Sequence, residues 1–183
     1  MGATVLYMSM SLDGFIAGPN ETDDNGLGDG GDRLHEWPIT GQIYDEFVAT
    51  GAIVAGRGTF EPAGGWGGDH HGGVPIFVLS RREPPPRFAQ MPLVTYLNDI
   101  ETAISLAKEA AGDRNVAVQG AATAQRALAA GLLDEIEIHL IPVLLGQGRR
   151  LFDNLAPEHI ELERIRVLEW EAGVTHVRYR VRR

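Results

Sequence analysis

Three short segments combine glycine with groups that bind anions. Gly56-Arg57-Gly58-Thr59-Phe60 directly follows an apolar stretch, Ala52 to Ala55, that reads as a buried strand, and it opens a helix. A helix N-terminus offers unpaired amides and a positive dipole end, which suits phosphate. Gly56 lets the backbone approach closely, Arg57 adds a fixed charge and Thr59 adds a hydroxyl donor. An ordinary strand-to-helix turn with a surface arginine is the competing reading. Gln119-Gly120-Ala121-Ala122-Thr123 also stands between a strand and a helix, and its small residues leave the helix start open. Tight helix–sheet packing would explain them too. Val78-Leu79-Ser80-Arg81-Arg82 is a strand end followed by a hydroxyl and two arginines, a set suited to a ribose phosphate or to an exposed basic turn. Two glycine turns at strand ends of one sheet suit a ligand with separate phosphates.

Asp13 lies in Ser11-Leu12-Asp13-Gly14, just past the first strand. There it can orient a substrate or assist proton transfer, or it can bond the amides of its own turn. Trp66, inside the glycine-rich run Gly64 to Gly73, reads as a lid over a ligand or as a loop anchor. His70 and His71 are adjacent, so an extended loop points them apart, and Asp69 alone gives a metal little support. A solvated loop is expected and no metal site. His139 falls on the strand face opposite Ile138 and Leu140, which predicts an exposed or bridging histidine. No Gly-x-Gly-x-x-Gly follows the first strand, and no Walker loop or Gly-x-Ser-x-Gly elbow occurs.

The elements that must position these groups follow from periodicity. Thr4 to Met10, Ala52 to Ala55, Val74 to Leu79, Met91 to Thr95 and Asn115 to Gln119 read as buried strands. Ser11 to Gly18 reads as a turn, Glu21 to Asp32 as a loop and Pro84 to Pro86 as a surface linker. A helix starts near Thr40, with Ile43, Phe47 and Val48 on one face. Asp99 caps a second helix that Gly112 ends, and an alanine-rich helix runs from Ala121 to Ala130. Asp134 to Ile141 alternates, and two closing strands, near Ile160 to Trp170 and Val174 to Val181, turn at Glu171 to Gly173. Strands alternating with helices predict one three-layer α/β domain over residues 1–183, with a mixed, mostly parallel sheet and a C-terminal antiparallel hairpin.

Composition narrows the function. The chain carries 16 Lys and Arg against 25 Asp and Glu, a formal charge of −9, which attracts neither nucleic acid nor an anionic membrane. With no cysteine there is no disulfide, thiolate metal site or cysteine nucleophile. No apolar run is long enough for a membrane span, and the N-terminus lacks a signal peptide's basic region. A cytoplasmic protein with a small-molecule partner is expected. The apolar run Leu140 to Leu145 and the strand face after Gly131 predict a covered sheet edge, hence a homodimer.

In order and spacing, five segments resemble the dihydrofolate-reductase-like superfamily, and more closely the reductase domain of riboflavin biosynthesis and its stand-alone bacterial relatives. They are Ser11-Leu12-Asp13-Gly14, Gly56-Arg57-Gly58-Thr59-Phe60, Val78-Leu79-Ser80, Val118-Gln119-Gly120-Ala121 and Pro142-Val143-Leu144-Leu145-Gly146-Gln147-Gly148. The resemblance implies an NADPH-dependent reductase of a small heterocyclic or ribityl-pyrimidine-like substrate. It assigns cofactor contacts to Gly56, Arg57 and Thr59, to Gly120, Ala121, Ala122 and Thr123, and to Ser80 and Arg81 at the 2′-phosphate end. Ile16 and Ala17 would lie beside the nicotinamide, Asp13 would act in catalysis, and Trp37, Thr40, Trp66, Gly146 and Gln147 would bound the substrate. Thr40 stands where dihydrofolate reductases place the carboxylate that binds the pterin, so dihydrofolate is not the expected substrate. The deaminase-like partner domain of the bifunctional riboflavin enzymes has no counterpart in the sequence. A non-catalytic nucleotide- or ligand-binding protein that retains the fold is the alternative.

Overall fold

A computed structural model describes residues 2–156 and 159–182. Six parallel strands form the body of one sheet: β1 (Thr4–Ser11), β3 (Ala52–Gly56), β4 (Ile76–Leu79), β5 (Val94–Leu97), β6 (Val116–Gln119) and β7 (Glu135–Ile141). The antiparallel β9 (Leu162–Glu169) and β10 (Thr175–Val181) extend it, giving the order β5-β4-β3-β6-β1-β7-β10-β9. This is the expected mixed α/β sheet with its C-terminal hairpin. Its central strands are apolar on both faces, as a sheet covered on both sides requires.

The alternation along β3 shows the two layers. Ala52 and Val54 pack with α4 (Ile100–Ala111) and α5 (Ala121–Ala129). Ile53 and Ala55 face the other layer, where α1 (Gly41–Val48), α2 (Arg57–Phe60) and α3 (Pro86–Ala89) contribute Phe47, Phe60 and Phe88. Asp99 caps α4 as expected, accepting from the Thr102 amide at 2.7 Å. No helix among the described residues is long and apolar enough to cross a membrane.

Four local expectations change. The Ser11 to Gly18 turn contains β2 (Phe15–Ala17), which pairs with β8 (Arg149–Arg150) in a second small sheet. Pro84 to Pro86 does not simply link: Pro86 opens α3, where a missing N–H costs nothing, and Phe88 is driven into the core. β5 begins at Val94 rather than Met91, because its register with Ile76 of β4 sets where pairing starts. Finally, β7 is buried on both faces, since Ile136 and Ile138 join the α4/α5 layer and Trp37 packs over its polar side.

Candidate functional site

The glycine turns meet because of topology. β3 leaves through α2 on one face toward β4, while β6 leaves through α5 on the other face toward β7. Strands that are neighbours but depart to opposite sides leave a crevice at their carboxyl ends, where ligands of open α/β sheets bind. Ala55 pairs with Gln119, so Gly56 and Gly120 stand side by side at that crevice.

Each glycine faces a threonine from the other turn. A Cβ on Gly120 would lie 2.5 Å from Thr59 Oγ1, and one on Gly56 would lie 3.0 Å from Thr123 Oγ1. Gly120 has φ +94°, which also favours glycine. Thr123 is fully buried, and its hydroxyl has no partner among the described residues. The Gly120 amide rests on Met8 Sδ at 3.2 Å, a weak acceptor.

A cavity of about 610 Å3 opens from these turns. Its walls come from Tyr7, Met8 and Ser9 of β1, Ile16 and Ala17 of β2, Gly58 and Thr59 of α2, and Gln119 of β6. Trp37, Ile39, Ile43, Phe47 and Trp66 supply an apolar and aromatic side. Glu21, Asp24, Asn25 and Asp32 supply a polar one, with His35, His70, His139 and Arg149 around it. Burial raises the Glu21 carboxyl above its ordinary range even though Arg149 lies 2.8 Å away. Burial lowers His35 against the pull of Asp32.

Of the residues singled out from sequence, Ile16, Ala17, Trp37, Thr59 and Trp66 line this cavity. Gly56, Gly120, Ala121, Ala122 and Thr123 form the crevice at its edge. Arg57 sits beside it but is paired with Glu61 at 3.2 Å. Ser80 lies one residue past Leu79, the partner of Gly56, and its hydroxyl closes a turn with Arg82 at 2.9 Å. Arg81, next to it, is exposed.

Asp13 stands outside the cavity wall. Its carboxylate accepts from Ser11 Oγ at 2.6 Å, from the Leu145 amide at 3.1 Å and from the Gly146 amide at 2.7 Å. The Ser11 bond and then these amides bring its pKa down to about 2. It therefore ties the loop holding Gly146 and Gln147 to the end of β1. Thr40 is an exposed N-cap without a side-chain cap bond; its neighbours Ile39 and Ile43 reach the cavity instead.

Trp66 both lines the cavity and is anchored. It packs on Phe60 at 5.3 Å and on His70 at 4.6 Å between ring centroids. Gly65, Trp66 and Gly67 all have positive φ, a conformation that costs a non-glycine residue about 1–2 kcal/mol. Packing must hold the tryptophan there.

One histidine expectation is corrected, and the other is decided between its two alternatives. His70 and His71 do not point apart in solvent: their Nδ1 atoms are 3.3 Å apart, and Phe47 and Trp66 pack against them. Burial, then His71, pushes His70 down to about 4. His139 is not exposed; it bridges to His176, Nδ1 to Nδ1 at 2.8 Å, under the ring of Trp37. The alternation of Asp134 to Ile141 put His139 opposite Ile138 and Leu140, and Trp37 packs over that side. Sequence reasoning also missed Arg149. Its guanidinium sits beside Gly58, 2.9 Å from where a Cβ there would stand. The Gly148-Arg149-Arg150 step was its only signal. The acids of the 21–32 loop had none.

Residues 4–176 match the family described as RibD C-terminal domain. A protein assigned to riboflavin biosynthesis from Shewanella sp. PV-4 superposes with TM-score 0.76 at 24% identity, over 99% of each chain. RibD from Acinetobacter baumannii superposes with TM-score 0.66 at 18% identity, over 100% of this chain and 59% of that one. A diaminohydroxyphosphoribosylaminopyrimidine deaminase/5-amino-6-(5-phosphoribosylamino)uracil reductase from Thermotoga maritima gives TM-score 0.65 at 15% identity, with 99% of this chain and 57% of that one covered. The chain thus spans more than half, but less than two thirds, of the last two. No curated protein matches it.

Proposed function

The chain belongs to the RibD C-terminal domain family, and from that premise we propose that it is an NADPH-dependent reductase of a small heterocyclic or ribityl-pyrimidine-like substrate. The observation that carries this reading is the paired crevice of Gly56 with Thr123 and Gly120 with Thr59, open to a cavity with aromatic walls.

The crevice fits a dinucleotide. The bare Thr123 hydroxyl at the start of α5 can donate to a phosphate oxygen, and the helix end adds its own amides. The absence of a Cβ at Gly56 and Gly120 lets the Thr123 and Thr59 hydroxyls approach the two turns closely. Arg149 beside Gly58 and Arg57 beside Gly56, now paired with Glu21 and Glu61, can turn their guanidiniums to an anion in an otherwise acidic protein. Ser80 and Arg81, one strand further out, take the 2′-phosphate in this reading, which their position just past Leu79, the partner of Gly56, supports. NADPH, when bound, supplies a hydride.

The chain does the positioning. Ile16 and Ala17 offer the nicotinamide an apolar, water-excluding wall. Trp37, Phe47 and Trp66 offer ring faces to a planar heterocycle. Glu21, Asp24, Asn25 and Asp32 suit hydroxyls or amines, and their charge opposes a phosphate on the substrate. Asp13 is a positioning residue here: it holds the Gly146–Gln147 rim through two amides. A second copy of the chain is the proposed partner, packing on the exposed apolar residues of the edge strand β9.

The test is a fluorescence titration of NADPH and NADH, followed by turnover with a panel of pyrimidines and quinones. NADPH binds about 10- to 150-fold tighter than NADH, the range for one charge-assisted hydrogen bond. Arg81→Ala narrows that gap. Equal affinities in the unmodified protein overturn the cofactor assignment, and tight NADPH binding without turnover across the panel overturns the reductase.

A further inference from the structure

The cavity wall contains one member of a histidine pair for which the reductase reading has no use. His139 lines the cavity from β7, and His176 stands opposite it in register on β10. Their Nδ1 atoms are 2.8 Å apart, and the Trp37 ring lies over both, at 4.8 and 5.0 Å. Trp37 is itself held, its Nε1 donating to Ser9 Oγ at 3.2 Å.

Burial lowers both imidazoles, His139 to about 3 and His176 to about 4, so both are neutral near pH 7. Two neutral rings carry two ring protons between them. One proton lies in the Nδ1–Nδ1 bond. The other must sit on Nε2 of whichever ring accepts in that bond.

The two choices are not equivalent. His176 Nε2 is buried and has no partner among the described residues. A proton there would be an unpaired N–H taken out of water. The Arg166 guanidinium of β9 bears on both rings, so it does not choose between them; the unpaired, buried Nε2 of His176 does. His139 Nε2 has no protein partner either, but its residue opens on the cavity, where water or a ligand can accept from it.

We propose that His139 presents a neutral Nε2–H donor to the cavity, locked in that tautomer by His176, and that it selects substrates bearing a ring carbonyl oxygen or an unprotonated ring nitrogen. The substrate half rests on the cavity being the substrate site; the tautomer half does not. Glu137, His139 and His176 also offer ligand atoms within 4.8 Å of one another. A dication there meets the guanidiniums of Arg166, 3.0 Å from the Glu137 carboxylate, and Arg178, 3.8 Å from it. The neutral donor is therefore the stronger reading.

Long-range ¹⁵N–¹H correlation on the full chain labelled at histidine, at pH 7 without ligand, tests the lock. His139 shows a protonated Nε2 and His176 a protonated Nδ1. His176→Asn, whose amide can still donate to His139 Nδ1, keeps the His139 pattern, and His176→Leu mixes the tautomers. The reverse assignment, an unchanged pattern in His176→Leu, or collapse of both patterns on one equivalent of Zn²⁺ overturns the lock. Recognition is read by titrating lumazine, a fluorescent ring dione. Loss of one neutral hydrogen bond in His139→Leu weakens it roughly 2- to 13-fold. His139→Gln, with an amide N–H near the same place, recovers part of that loss, and NADPH affinity does not change. Equal lumazine affinity in all three proteins, or no binding to the unmodified one, overturns the recognition. Failure of the unmodified protein to bind NADPH instead overturns the reductase reading and leaves the tautomer lock standing.

Discussion

Replacing Gly120 by alanine strikes the crevice where backbone and ligand requirements coincide. Gly120 has φ +94° and ψ 146°, a region nearly closed to residues with a Cβ. Holding alanine there costs about 1–3 kcal/mol. In a chain of 183 residues that is a drop in Tm of roughly 2–12 °C. The new Cβ would also lie 2.5 Å from Thr59 Oγ1, so Thr59 has to leave its place at the cavity wall. If the crevice holds phosphate, that displacement removes at least one charge-assisted hydrogen bond, about 1.5–3 kcal/mol, or roughly 10- to 150-fold in NADPH Kd. Gly131→Ala is the control. Its φ is +66° and nothing lies within 4 Å of its Cβ, so it carries a backbone cost without touching the crevice. The assay is NADPH titration and thermal melting on both variants side by side. Both melt lower than the unmodified protein, and only Gly120→Ala loses NADPH. A folded Gly120→Ala protein that keeps NADPH affinity within about threefold, well short of one such bond, would refute the phosphate crevice.

Two further outcomes follow from the same structure. The carboxyl of Asp13 falls from 3.8 to about 2 in the folded chain, first through Ser11 and then through the Gly146 and Leu145 amides. Its contribution to stability is therefore complete above the unfolded value and is lost as pH falls from about 4 toward 2. Asp13→Asn removes that acid-range loss from the pH–melting curve and speeds amide exchange at Leu145 and Gly146; an unchanged curve refutes the tie. On β9, Leu162, Ile165 and Val167 are 42%, 41% and 46% exposed on an edge strand, where an unpaired apolar row invites a partner. Light scattering at micromolar concentration gives twice 19.9 kDa, and Ile165→Lys with Val167→Glu gives the single mass; a single mass for the unmodified chain refutes the dimer.

The sequence by itself determined the layered α/β plan, since apolar runs bounded by glycine, and an Asp99 cap confirmed at the Thr102 amide, are local signals. It also marked both glycine turns. That they touch is a property of the sheet: Gly56 and Gly120 are 64 positions apart, and only the β3–β6 pairing brings them together. The same holds for His139 and His176, which are 37 positions apart. Nothing local in Glu135–Ile141 says that β10 will pair along its edge and Trp37 will pack over its polar face. Asp13 shows the limit most plainly. Its type and place at a strand end allowed either a reacting group or a turn former. Its observed partners are the amides of Leu145 and Gly146, more than 130 residues away, which reach it at 3.1 and 2.7 Å. Periodicity and turn chemistry act over a few residues and are written in the order of the chain. Which distant donor meets a given acceptor depends on strand order and burial, and only the folded sheet decides that.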